Sequence, residues 1–149
     1  MANPQLFTIG YQQATQPGLI ALLQEHGITL LADVRARAQS RKPGFSKSNL
    51  AASLAEEGIA YRHFRDLGTP PEGRAAARRG DRETLREVYS GQLELPEALA
   101  AMAELRALAL ERVTCLLCYC REAEKCHRHL LVEAAFDDFA VTDLQPAIA

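Results

Sequence analysis

Residues 114–131, TCLLCYCREAEKCHRHLL, carry all four cysteines of the chain and two of its four histidines. Thiols and imidazoles are the side chains suited to hold a soft metal, or to act as nucleophile and base near neutral pH. Three readings fit the pattern. The run C-x2-C-x-C-x5-C-H contains the ligand types of a four-coordinate zinc site. The same run also reads as a strand ending in a thiol, a short polar loop, and Cys126–His127–Arg128 at a helix start. There the free N–H groups and the helix dipole favour an anion and lower a thiol's pKa. In the third reading the sulfurs are small apolar side chains of a buried strand.

Strand parity divides these sulfurs. If VTCLLCYC (113–120) is extended, Cys115 points opposite to Cys118 and Cys120. Cys115 is then a core residue, and an extended segment leaves no tight turn for a C-x2-C zinc knuckle. Cys118 and Cys120 share a face near the strand exit. Cys126 opens the following helix with His127 and Arg128 beside it, residues that apolar packing does not ask for. This favours Cys126 or Cys118 as a reactive thiol, His127 as acid or base, and Arg128 as the cation for an anionic group. A metal held by some of Cys118, Cys120, Cys126 and His127 is the alternative.

Other elements must carry these residues to one place. LFTIGY (6–11), ITLLADVR (28–35), IAYRHF (59–64) and VTCLLCYC read as strands, and AVTDL (140–144) as a short last one. QPGLIALLQEHG, SKSNLAASLAEEG, RETLREVYSG, LPEALAAMAELRALALER and CHRHLLVEAAFDDF read as helices between them. In the fourth of these the spacing turns Leu99, Met102, Leu105 and Leu108 inward. Residues 70–82, PPEGRAAARRGDR, show no core face and read as a surface segment, at most partly helical. Strands alternating with helices predict a three-layer, Rossmann-like α/β domain over 1–149, with a mostly parallel sheet of about four or five strands. Ligands of such sheets bind outside the carboxyl ends of the strands.

That rule draws in further residues. Asp33 lies inside an apolar run, where a carboxylate needs a partner. It orients Arg35 or His127, acts as a general base, or pairs structurally with a loop cation. Arg35 leaves the same strand. Ser40 and Arg41 sit in a loop with Pro43 and Gly44 that reads as a ligand clamp or as a solvated turn. His63, beside the third strand exit, reaches the same pocket or is a satisfied, half-buried histidine.

Composition bounds the partners. The chain has 149 residues, 48% hydrophobic and 24% charged, with a net charge of −2. That excludes a general nucleic-acid coat or a membrane-surface binder. Residues 35–82 nevertheless hold 11 Lys and Arg against 5 Asp and Glu, a candidate anion-binding region. Arg74, Arg78, Arg79 and Arg82 could contact nucleic acid, although no aromatic residues are interleaved with them. The N-terminus lacks the features of a signal peptide, and no apolar run of about 18 residues occurs. A cytoplasmic location with reduced thiols is the expectation, with no membrane partner.

Taken in order, TIGY, LLADVR, SR…F, YRHFRDLG and LLCYC…CHR resemble a bacterial and archaeal family known as domain of unknown function 488. The resemblance spans about residues 6–145. It implies a compact α/β domain whose activity is not established. The family's recurring positions match Asp33, Arg35, Ser40, Arg41, Phe45, Tyr61, His63, Cys118 and Cys126–His127–Arg128. Two positions depart from the pattern, Cys120 where the family has Glu and His129 where it has a small residue.

The combined expectation is an enzyme with a thiol/His/Arg pocket. Asp33, Cys118, Cys126 and His127 are its catalytic candidates. Arg35, Ser40, Arg41, Phe45, His63 and Arg128 would hold a phosphate-bearing substrate, a nucleotide or nucleic acid. A non-catalytic anion-binding module and a metal protein are the alternatives, and no cofactor is specified.

Overall fold

The computed structural model describes residues 3–148. Five strands form one all-parallel sheet: β1 (Gln5–Gly10), β2 (Leu30–Asp33), β3 (Ala60–His63), β4 (Thr114–Cys118) and β5 (Ala140–Leu144), in the order β3-β2-β4-β1-β5. Every residue of β2 and β4 is buried. Strands covered on both faces need this near-continuous apolar sequence, and parallel pairing needs a crossover between strands.

Helices α1 (Gln16–Glu25) and α2 (Lys47–Glu56) cover one face. Their Leu19, Leu23, Leu50 and Leu54 pack with Cys115 and Leu117 of β4. On the other face lie α4 (Arg82–Leu93), α5 (Pro96–Glu111) and α6 (His127–Ala135), through Tyr89, Leu105, Leu131 and Phe136 against Leu116 and Cys118. This is the three-layer arrangement that alternating strands and helices predict. Local signals agree with it: Thr15 caps α1 by accepting from the Gly18 N–H, and Gly27, at φ 68°, ends it. No helix among the described residues is long and apolar enough to cross a membrane.

Strand parity holds for the cysteines. Cys115 is buried on the α1–α2 side, and Cys118 lies on the α4–α6 side. The strand is shorter than its apolar run, however. It stops at Cys118, so Cys120 belongs to the loop that follows.

Two expectations need correction. The 70–82 segment is partly helical, as expected, but its helix α3 (Pro71–Arg78) does have a buried face, at Gly73 and Ala76. Gly73 lies against Thr69 and against Leu85 and Val88 of α4, and a face built from such small residues gives no hydrophobic periodicity to read. In α5, Leu99 points outward and is 54% exposed, while Ala98, Leu105 and Ala109 are buried. That helix is apolar around much of its circumference, so spacing alone did not define its inner side.

The topology also selects one edge. From β1 the chain passes to β2 through α1 on one face; from β4 it passes to β5 through α6 on the other. Adjacent strands whose connections leave to opposite faces open a crevice between their carboxyl ends. Gly10 and Cys118 are paired across that crevice. A Cβ at Gly10 would lie 1.7 Å from the Cys120 carbonyl oxygen and 2.9 Å from an Arg128 nitrogen. Gly10→Ala should therefore destabilise the protein by about 2 kcal/mol or more through overpacking, measured by urea unfolding. Wild-type stability in that variant would contradict the close approach.

Candidate functional site

A cavity of about 940 Å³ opens at that edge. Its walls come from the loops after β1, β2 and β4, from α3, and from the start of α6, so the exits of three strands converge as the topology requires. Six of its lining residues are Arg or Lys (Arg35, Arg37, Arg74, Arg78, Arg121 and Lys125). Its one acid, Glu122, is paired with Lys125 at 3.0 Å. Thr69 also lines the cavity, is 3% exposed, and has a hydroxyl oxygen with no protein partner. Such an orphan is satisfied by water or by a bound ligand.

Cys118, Cys120, Cys126 and His127 form the inner wall. The Cys118 and Cys126 sulfurs are in direct contact, although their Cα atoms are 7.7 Å apart. That separation exceeds the usual disulfide span of about 7 Å, yet the two sulfurs are joined as a disulfide here; reduction frees two adjacent thiols. Cys120 contributes a third sulfur within 4.8 Å of both. Burial pushes the thiols of Cys115 and Cys120 up; the nearby Arg128 opposes this in part.

Arg128 is the largest fully buried side chain in the protein. Its Nε–H donates to the Thr8 hydroxyl at 3.2 Å, and one terminal nitrogen donates to Cys118 Sγ at 2.8 Å and the Cys120 carbonyl at 2.6 Å. The other terminal nitrogen donates to the Arg121 carbonyl at 3.4 Å. Among the described residues no carboxylate touches the guanidinium. The nearest acid along these bonds is the exposed Asp143, which accepts from the Thr8 hydroxyl. Burial accordingly pulls the Arg128 pKa down, and Asp143 offsets only part of this. Besides hydroxyl and carbonyl oxygens, the group that Arg128 meets at contact distance is Cys118 Sγ.

His127 sits between the cysteines and β2. Its Nε2 is 2.7 Å from the Val34 carbonyl oxygen. A carbonyl only accepts, so Nε2 carries the hydrogen and Nδ1 is free in the neutral ring. That Nδ1 lies 3.6 Å from Cys126 Sγ. Tyr89 packs edge-on against the ring, with centroids 5.1 Å apart. Burial pushes the His127 pKa down to about 4, with Arg128 adding repulsion and the Val34 bond opposing. At neutral pH the ring is uncharged, with Nδ1 beside Cys126 Sγ.

Asp33 and Arg35 are inside the fold rather than in the inner wall. Asp33 takes the Arg35 Nε at 2.8 Å and a terminal nitrogen at 2.6 Å, and also accepts from Tyr61. The remaining terminal nitrogen of Arg35 donates to Phe45 O at 2.7 Å and to Tyr11 at 3.3 Å. Burial opposes the Arg35 charge, and Asp33 outweighs it to raise the pKa. Asp33 therefore orients Arg35, not His127, and the pair ties the 36–45 loop to the sheet. Phe45 is buried and stacks on Tyr11, with ring centroids 4.7 Å apart.

The remaining loop candidates lie outside the cavity. Ser40 accepts from the Lys42 N–H and, through its backbone, joins Ser46, as a turn residue does. Arg41 is exposed and is not among the cavity-lining residues. His63 donates from Nε2 to the Arg35 carbonyl at 2.7 Å, which makes it a satisfied, partly buried histidine. Sequence reasoning missed Arg37, Arg121, Lys125 and Thr69 as wall residues, and Thr8 as an Arg128 partner. A hydroxyl inside the apolar run LFTIGY was the available signal for Thr8.

Residues 17–135 match the family described as "Domain of unknown function DUF488". No curated protein and no solved structure matches the chain.

The His127 environment has a consequence for stability. The unfolded ring takes up its proton near pH 6.5, the folded ring only near 4, so the unfolded state binds more protons between those values. Stability should fall as pH drops through that window, by about 3 kcal/mol from this residue alone. His127→Gln cannot titrate and should show a shallower decline in urea unfolding between pH 7 and 4. Parallel curves for the two proteins would contradict the buried, neutral ring.

Proposed function

The chain belongs to the DUF488 family, a domain of unknown function, and we propose that it is an enzyme whose Cys118 thiolate acts on a phosphate-bearing substrate in the basic cavity. One observation carries the reading. Arg128 is buried without a carboxylate and donates directly to Cys118 Sγ. A guanidinium so placed stabilises the ionised sulfur over the neutral thiol, and the thiolate is the nucleophile.

The wall supports an anionic substrate. Arg74 and Arg78 of α3 face the β-loop cations Arg37 and Arg121 across the same space, with one paired acid among them. Arg74 is held in place by its bond to the Thr69 carbonyl at 2.9 Å. The volume is in the range of pockets for small molecules, a nucleotide included. The same arginines speak against a nucleic-acid groove as the first choice. They do not form a continuous stripe, since Arg74 and Arg78 line the cavity while Arg79 is paired with Asp81 at 3.1 Å.

The roles follow. The Cys118 thiolate forms a bond to the electrophilic centre while the bond to the substrate's leaving group breaks, that group departing with the electron pair and taking a proton from water; Arg74, Arg78 and Arg37 bind the charged group. His127 Nδ1 accepts a proton from the Cys126 thiol or from an attacking water. The reaction class is group transfer or hydrolysis through the thiolate.

Iodoacetamide labelling followed site by site by mass spectrometry tests this. Cys118 should be alkylated rapidly at pH 7, and pyrophosphate or a nucleoside monophosphate should slow the reaction. Arg74→Glu should leave the free rate intact and weaken the protection by roughly tenfold, equivalent to about 1.4 kcal/mol of anion binding. A Cys118 that is inert at pH 7, or one that neither anion shields, would sink the proposal.

A further inference from the structure

We infer that Cys118, Cys120 and Cys126 form a binding site for a thiophilic divalent cation of the zinc class, with an open fourth position facing the cavity. The inference rests on the reading of Cys118 as a thiolate and adds a regulatory state of the same sulfur.

The first observation is convergence. The three sulfurs come from a strand end, a loop and a helix start, yet all lie within 4.8 Å of one another. Tetrahedral zinc with Zn–S bonds of about 2.3 Å holds its sulfurs about 3.8 Å apart, a spacing reached by small side-chain adjustments here. Backbone distance points the same way. The 7.7 Å between the Cα atoms of Cys118 and Cys126 is too wide for a relaxed disulfide. A cation between two sulfurs lengthens the bridge and removes that restriction.

The second observation is charge. Metal binding would displace the thiol protons to solvent; the three resulting thiolates would repel one another in a buried wall, with Arg128 offsetting one of them. A divalent cation brings the group of three thiolates, Arg128 and metal to neutrality, which a monovalent ion does not. Arg128 then serves as the hydrogen-bond donor to a ligand sulfur that metal-thiolate sites require, at 2.8 Å from Cys118 Sγ. The site is also reachable, because all three cysteines line the cavity. Three protein ligands plus an open position is the arrangement of zinc sites that exchange ligands, as distinct from closed structural sites.

Cation binding and nucleophilic attack need the same lone pair on Cys118. Metal uptake therefore silences the thiolate while leaving the arginine wall able to bind anions. This makes the enzyme responsive to the availability of a thiophilic metal.

The test uses the full chain, reduced and stripped of metal, titrated with Co²⁺ as a spectroscopic probe. One equivalent should bind and produce a sulfur-to-metal charge-transfer band, and Zn²⁺ should abolish it by displacement. Zn²⁺ should also suppress iodoacetamide labelling of Cys118. Cys120→Ser removes a direct ligand and should weaken Co²⁺ binding by at least the roughly 10- to 100-fold that loss of an outer-shell partner costs, with rapid labelling of Cys118 retained in the metal-free protein. No band from the wild type, with Cys118 still rapidly labelled, overturns the metal site and leaves the thiolate reading standing. Slow labelling of the metal-free protein overturns the thiolate reading, and the inference with it. An undiminished band in Cys120→Ser overturns the three-sulfur assignment.

Discussion

A guanidinium with no water around it must meet negative charge or hydrogen-bond acceptors at every edge. Arg128 is in that position, wholly buried at the start of α6, and much of the carboxyl edge of the sheet is arranged around it. Gly10 has no side chain because the Arg128 nitrogen and the Cys120 carbonyl occupy the place of its Cβ. Thr8 turns a hydroxyl inward, accepting from Arg128 and donating to Asp143. The backbone after β4 bends so that the carbonyls of Cys120 and Arg121 face the same cation. What these neutral groups leave uncompensated falls on the sulfur of Cys118.

The second buried arginine shows what a fully matched cation looks like. Arg35 meets Asp33 through two parallel bonds and uses its remaining nitrogen on Phe45 and Tyr11. Its charge is closed locally, and its work is to hold the loop between β2 and α2 against the sheet. The two arginines thus stand at adjacent strand exits with opposite electrostatic situations. Arg35 is matched and structural, whereas Arg128 meets no carboxylate among the described residues and donates to Cys118 Sγ. Around them, the unmatched cations of α3 and the β-loops give the cavity its sign.

Much of this was legible in the sequence, and the failures have physical causes. Alternating apolar runs and helix signals predicted the three-layer α/β sheet, and strand parity separated Cys115 from Cys118. The order of strands placed Cys118, Cys126, His127 and Arg128 at one edge, where the structure brings them together. Asp33, embedded in an apolar run, advertised a buried partner; that it is Arg35 alone depends on rotamers that spacing does not encode. The contact of Arg128 with Thr8 links residues 120 positions apart, with no periodic trace in either segment. Helix α3 packs through Gly73 and Ala76, residues too small to mark a face, so Arg74 and Arg78 read as a solvated surface when they are cavity wall. Ser40 and Arg41 read equally as a clamp or a solvated turn, since loops with Pro and Gly serve as both; Ser40 bonds as a turn residue does and Arg41 is exposed.

The central claim is the ionisation of Cys118 by Arg128, and the most direct measurement is the ¹³Cβ chemical shift of Cys118 in labelled, reduced, metal-free protein followed against pH. A thiolate held by a buried guanidinium should show its titration well below the ordinary thiol value of about 8.5, and Arg128→Met, if it folds, should move the midpoint upward. Arg128→Lys keeps a cation and should fall between the two. A midpoint at or above the ordinary thiol value in the wild type would contradict the account.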